Sequence, residues 1–213
     1  MDKRTRIVFW GSPKIAADFL SVLSKEPAFE VVACVTQGEK ILQRQGKSTV
    51  RSFVHETAEK LSIPVFTPRV LKKEAEPLLE SLARIGYDIF VVLAYGKILP
   101  QSVIDAPRLK AVNFHGSLLP LLRGASPIEH ALLYGFNETG WTLQKIVPEL
   151  DAGDILAQSK VAVLPTDTAE TLYAKMTESL LLHGRTMLLD YIEGRTIATA
   201  QDTRVATHCG KIF

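Results

Sequence analysis

Asn113 and His115 stand two residues apart in the run Val112-Asn113-Phe114-His115, which is followed by Gly116-Ser117-Leu118-Leu119-Pro120. An extended strand sends alternate side chains to the same side, so a carboxamide and an imidazole would leave one face together at the strand's carboxyl end. The carboxamide can donate a hydrogen bond to a developing oxyanion. The imidazole can donate when protonated or carry a proton near neutral pH. A second polar cluster, Leu150-Asp151-Ala152-Gly153-Asp154, lies between two extended runs and could fold back over the same sheet end. An aspartate buried beside His115 would fix the ring's orientation and stabilise its positive form. Nucleophilic catalysis has no support, because no Cys lies nearby and Ser117 is outside a Gly-x-Ser-x-Gly elbow. Each cluster alone also fits a structural role, as a plain turn or a strand-end hydrogen-bonder; together they specify proton transfer and oxyanion stabilisation.

The elements that must carry these groups follow from hydrophobic spacing. Ile7 to Trp10 reads as a first strand, and Ile15, Ala16, Phe19, Leu20 and Leu23 recur at helical spacing until Pro27. Val31 to Val35 gives a second strand, and the polar segment Thr36 to Ser48 reads as a loop. A helix then runs through Val50, Phe53, Val54, Ala58 and Leu61, with a short strand at Pro64 to Phe66 and a third helix from Leu71 to Ala83. Asp88 to Leu93 is continuously apolar after its first residue, as strands covered on both faces are. A short helix near Val103 precedes the strand Val112 to Phe114. The alternation implies an α/β chain with a doubly wound, mostly parallel Rossmann-like sheet, in which ligands sit beyond the carboxyl ends of the strands. Thr139 to Val147 and Ile155 to Leu164 predict antiparallel strands added in the C-terminal part. A last helix is capped by Asp167 or Thr168, buries Leu172, Met176, Leu180 and Leu181, and ends near Gly194. After Arg195 the chain is extended and weakly patterned, without a clear closing element.

Composition removes several classes. The chain has 213 residues, of which 46% are hydrophobic and 23% charged. That is long enough for one large domain with a substantial core. A formal charge of +2 gives no global basic field, so a nucleic-acid partner would have to be held by a local patch. Cys34 and Cys209 form neither a disulfide framework nor a zinc-ligand spacing, which predicts a reducing, cytoplasmic setting and no metal. The apolar run Ile7 to Trp10 is too short for a signal peptide or a membrane span, so a soluble protein without membrane association is expected. Gly11-Ser12-Pro13 is a tight turn onto a helix but lacks the Gly-x-Gly-x-x-Gly pattern of a dinucleotide site.

The stretch Asn113-x-His115-x-Ser117-Leu118-Leu119-Pro120, with Arg123-Gly124, Pro127 and the downstream Leu150-Asp151-x-Gly153, resembles the folate-dependent formyltransferase family. Phe9-x-Gly11-Ser12-Pro13 and Val91-Val92-Leu93-Ala94-Tyr95-Gly96-Lys97-Ile98-Leu99-Pro100 place the resemblance nearest to its tRNA-formylating branch, from about residue 5 to the end. The resemblance implies the formyltransferase fold and transfer of a formyl group from 10-formyltetrahydrofolate to the α-amino group of methionine on initiator tRNA, with no metal. It implies that Asn113 and His115 stabilise the oxyanion while Asp151 orients His115 and helps pass the proton. By the same likeness Ser117, Leu118, Leu119 and Pro120 line the folate site, and main chain around Val91, Val92 and Leu93 with the Val147, Glu149 and Leu150 segment holds the pterin. Ordinary core packing is the competing role for Leu118 and Leu119.

The polar loop corresponds to the one that the tRNA-formylating enzymes insert into the acceptor stem, and Lys40, Arg44 and Lys47 would supply its phosphate contacts. It departs from the usual Pro-Asp-Arg opening, having Gln37-Gly38-Glu39 instead, so a solvated surface loop stays open as its role. A single catalytic domain is expected, with a linker starting at about residue 196 and a C-terminal tRNA-binding β-barrel absent from this chain. A monomer is the default expectation. Sugar-nucleotide and glycinamide ribonucleotide formyltransferases are the alternatives within the family; a non-catalytic folate-binding α/β module is the alternative outside it.

Overall fold

The computed structural model describes residues 4–38, 40–42 and 48–212, in a chain that divides into two compact units, Met1–Ala111 and Val112–Phe213. In the first unit, β1 (Thr5–Gly11) pairs in parallel with β2 (Phe29–Val35) and with β6 (Ile89–Leu93), and β2 pairs in parallel with β5 (Val65–Phe66). Ile7, Val8, Phe9 and Trp10 are wholly buried, as are Ile89, Phe90 and Val91, which is why both strands read as unbroken apolar runs. Trp10 ties them together through ring contacts to Phe90 at 5.4 Å and to Tyr95 at 5.3 Å, both within the range of favourable aromatic pairing.

Helices lie where the apolar spacing puts them. In α1 (Lys14–Leu23), Ile15, Ala16, Phe19, Leu20 and Leu23 are all buried. The next helix, α2 (Phe53–Lys60), starts three residues later than the sequence suggested. Ser52 caps it by accepting from the His55 N–H at 3.0 Å, which satisfies one of the free donors of its first turn. Val54 and Ala58 form its inner face while Phe53 and Leu61 are exposed. Val50, expected inside that helix, belongs instead to a hairpin of β3 (Lys40–Leu42) and β4 (Ser48–Val50), paired antiparallel with Lys40 opposite Val50. The segment expected as loop throughout therefore carries a strand at 40–42 and enters another at Ser48. Helices α3 (Leu71–Ile85) and α4 (Gln101–Asp105) complete this unit.

The second unit holds the antiparallel addition. Strand β9 (Glu138–Lys145) pairs antiparallel with β7 (Ala111–His115) on one side and with β10 (Ile155–Ala162) on the other. Helix α6 (Ala169–Ile192) packs on β9 and β10, and the Trp141 indole N–H on β9 donates to the Met176 carbonyl on that helix at 2.7 Å. Thr168 caps α6 reciprocally with Thr171, and Gly194 follows its end at φ +71, the left-handed turn that commonly closes a helix. Leu172, Met176 and Leu180 are buried as expected; Leu181 is only half-buried, one step off the inner stripe. Periodicity had not marked α5 (Pro127–Leu133), a short helix with Pro127 at its first turn, where a missing N–H costs nothing.

The tail does have a closing element. Thr199 exchanges both main-chain hydrogen bonds with Ile155, and β11 (His208–Cys209) pairs in parallel with β8 (Arg123–Gly124). Two-residue strands leave too short a period to be read from sequence.

Candidate active site

Asn113 and His115 occupy the end of β7, and the antiparallel register sets Gln144 of β9 opposite Asn113 and Thr142 opposite His115. Side chains directly opposite across such a pair share a face. The β9–β10 turn carries Asp151 back toward this face. Its Oδ1 accepts from the Gln144 Nε2 at 2.8 Å and lies 3.5 Å from the Asn113 Nδ2. Its Oδ2 accepts from the Gly124 N–H at 3.0 Å and stands 3.5 Å from the His115 Nδ1. The three side chains expected to work together are therefore brought together within one unit.

His115 is buried, and its Nε2 lies 2.8 Å from the Leu122 carbonyl. Both ring nitrogens thus face oxygen acceptors; a neutral imidazole can satisfy one of them and the imidazolium both. Asn113 is half-buried, and the long Asp151 contact engages one of the two N–H groups of its carboxamide. The site presents a donor at its open side and a carboxylate–imidazole pair behind it.

Unusual backbone supports this arrangement. Asp151 and Leu122 both have left-handed φ, at +51 and +57, which costs a non-glycine residue energy and persists where surroundings over-determine it. Gly153 is required two residues on, because a β-carbon there would collide with the Lys145 carbonyl. Gly124, at φ +120, leaves room for the Cys209 carbonyl of β11 while offering its N–H to Asp151.

The other expected residues fall in different surroundings. Ser117 is buried and donates to the Leu121 carbonyl at 2.6 Å. Leu119 is buried too, with its N–H on the Thr142 hydroxyl at 3.1 Å and its carbonyl taking the Gln158 Nε2 at 2.9 Å, so its side chain serves the core. Leu118 and Pro120 are half-buried, whereas Val147, Glu149 and Leu150 are exposed. Glu149 pairs with the buried Arg123 at 3.2 Å. Val91, Val92 and Leu93 lie buried on β6, in the other unit. Of the expected phosphate contacts, Lys40 opens β3, while Arg44 and Lys47 lie outside the described residues.

Sequence reasoning missed Thr142, Gln144 and Gln201. The first two alternate with Trp141 and Leu143 on a strand whose residues from Thr139 to Gln144 are buried. Two polar groups at that spacing inside a core strand were the available signal, since burying them costs energy unless they are hydrogen-bonded. Gln201 sits in the weakly patterned tail, which offered none. The first unit separately contains a cleft of about 350 Å³ lined by Ser12, Pro13, Gln37, Arg51, Ser52 and Ala94 among others. Among the described residues there is no cluster of His, Cys, Asp and Glu able to hold a metal ion, and no helix long and apolar enough to cross a membrane.

A family model described as formyl transferase matches residues 5–180. A methionyl-tRNA formyltransferase of Brucella anthropi is 41% identical over 81% of this chain and 55% of its own length. One from Sulfurihydrogenibium sp. is 39% identical over 97% of this chain and 66% of its own. The chain thus spans between about half and two thirds of the length of these relatives. Among solved structures, the phosphoribosylglycinamide formyltransferase of Anaplasma phagocytophilum superposes with a TM-score of 0.78 at 22% identity, covering 99% of this chain and 100% of that one.

Proposed function

The chain belongs to the formyl transferase family, and we propose that it transfers a formyl group from 10-formyltetrahydrofolate to the α-amino group of methionine on initiator tRNA. The observation that carries the reading is the Asp151 carboxylate facing both Asn113 and His115 at 3.5 Å. At identities of 39% and 41%, the relatives named as methionyl-tRNA formyltransferases support the acceptor; likeness to a solved structure at 22% bears on the fold alone.

The donor set fits a formyl carrier. Folate supplies an activated one-carbon unit on nitrogen when bound, and the reaction asks the protein for an oxyanion donor and a proton acceptor. Asn113 offers an N–H to the formyl oxygen as an amine adds to the carbon. The His115 Nδ1, whose contact with Asp151 is long at 3.5 Å, is the ring nitrogen that would add a second donor, and Asp151 would take the proton the amine must lose and pass it to the folate nitrogen that departs as its bond to the formyl carbon breaks. The His115 and Asp151 side chains are only 6% and 9% exposed, and such surroundings strengthen each of these interactions over its value in water.

Ser117 to Pro120 and the 147–150 segment would hold the folate, chiefly through main chain because the side chains of Ser117 and Leu119 are buried. A flat pterin suits such a slot, where a few backbone donors and acceptors fix its orientation. Phosphate contacts from Lys40, Arg44 and Lys47, a monomeric state and a cytoplasmic setting belong to the same proposal. The test is formylation of charged initiator tRNA by the purified protein with 10-formyltetrahydrofolate, run beside an amino-sugar nucleotide and glycinamide ribonucleotide. Formylmethionyl-tRNA formed well above the other products supports the reading. Transfer to either small acceptor, or folate binding with no transfer, overturns it.

A further inference from the structure

Gln201 lies outside the matched family segment and touches the candidate site from the tail. Its Nε2 donates to the Asp151 carbonyl at 2.8 Å and to the Gly153 carbonyl at 2.7 Å. Its Oε1 accepts from the Arg123 Nε at 3.0 Å and Nη2 at 2.8 Å. Arg123 is a donor only, so it fixes which end of the amide is oxygen and aims both N–H groups at the turn. Arg123 is itself held at its other end by Glu149 at 3.2 Å.

The two carbonyls that Gln201 grips bracket the strained part of the turn, with Asp151 at φ +51. Left-handed backbone at a non-glycine residue needs restraint from outside, and one amide supplies it from both ends of a three-residue segment. The tail grips the other half of the site as well. The Thr207 hydroxyl accepts from the Leu122 N–H at 2.8 Å, and the Cys209 thiol reaches the Leu122 carbonyl at 3.3 Å, the same carbonyl that faces His115.

We propose that Gln201 is a positioning residue: through its two hydrogen bonds to the Asp151 and Gly153 carbonyls it sets where the Asp151 carboxylate stands relative to His115 and Asn113. Its catalytic consequence rests on the formyl-transfer reading above; its structural content does not. A misplacement of about 1 Å at such a group costs on the order of a hundredfold in turnover.

Gln201→Glu separates positioning from mere anchoring of the tail. Glutamate has the same length and keeps, with added charge, the acceptor for Arg123, but it loses both donors and turns an oxygen toward two carbonyls. The expected result is a thermal midpoint lower by about 2–12 °C with the variant still folded, kcat for formyl transfer per folded molecule lower by about 10- to 100-fold, and a folate KM within about threefold of wild type. Amide exchange at Ala152 and Gly153, followed by hydrogen–deuterium NMR, should quicken by about tenfold. Gln201→Met, similar in length and without donors, carries the same readouts if Gln201→Glu folds poorly. Wild-type exchange at Ala152 and Gly153 in a folded variant overturns the inference, as does wild-type kcat in an enzyme that transfers formyl groups. If the unaltered protein transfers none, the function proposed above fails while the exchange measurement still decides this one.

Discussion

His115 Nδ1 faces Asp151 Oδ2 at 3.5 Å while the opposite ring nitrogen rests 2.8 Å from the Leu122 carbonyl. Acceptors flank the imidazole on both sides, and of the two only the Asp151 carboxylate is a charged group. Replacing Asp151 by Asn removes that charge at almost constant volume and sets an amide against the Gln144 and Gly124 donors. Turnover should fall by about 10²- to 10⁴-fold, the range for losing a positioned acid–base group, with folate affinity little changed. Steady-state kinetics with an independent folate titration checks both halves.

Asn113 differs because its amide reaches Asp151 only at 3.5 Å and is half-buried at the open side of the site. Its contribution should therefore fall on the transition state rather than on stability. Asn113→Ala is expected to lower kcat by about 10²- to 10³-fold, the usual loss for one oxyanion donor, while shifting the thermal midpoint little. A large drop in stability with kcat per folded molecule retained would assign Asn113 to structure instead.

Much of this site was legible because alternation in an apolar strand is a strong signal. Asn113 and His115 interrupt Val112 and Phe114 at the strand's end, and Leu150 to Asp154 breaks two extended runs. The partners that hold Asp151 were not legible. Gln144 is an ordinary polar residue until the β7–β9 register sets it opposite Asn113, and register is a non-local property. Gln201 acts through carbonyls fifty and forty-eight residues away, and main-chain acceptors leave no mark on composition. The hairpin of β3 and β4 was hidden for a similar reason, since three-residue strands among polar side chains carry too little periodicity to be seen.

Burial pushes the Cys34 thiol up to about 12, and burial also raises that of Cys209. Thiolate is the reactive form, so both residues should be inert toward iodoacetamide at mildly alkaline pH in the native protein and react on unfolding. The linkage has a definite sign. With the folded value above the unfolded one, the buried Cys34 thiol contributes stability fully below its ordinary value of 9.0, and that contribution is lost as pH climbs toward about 12, because the unfolded chain releases its proton first. Alkaline unfolding of Cys34→Ala, compared with wild type at equal temperature, should show a smaller loss of stability across this window.

Gly153 tests whether the turn's packing and the site's chemistry are one thing. A methyl group there meets the Lys145 carbonyl and comes against the Val147 side chain, while the Lys145 N–H is committed to the Asp154 carbonyl at 3.0 Å. The strand end therefore cannot yield without breaking its own pairing, and the turn carrying Asp151 must move instead. Gly153→Ala should cost about 1–3 kcal/mol by overpacking, roughly 2–12 °C in a chain of this size, and should also lower kcat. Gly194 supplies the contrast, having φ +71 with open space around it. Gly194→Ala should cost about 1 to about 2 kcal/mol of backbone strain and leave kcat unchanged. Thermal melts paired with kcat per folded molecule separate the outcomes: equal turnover in the two variants would mean that Asp151 keeps its place independently of the turn that bears it.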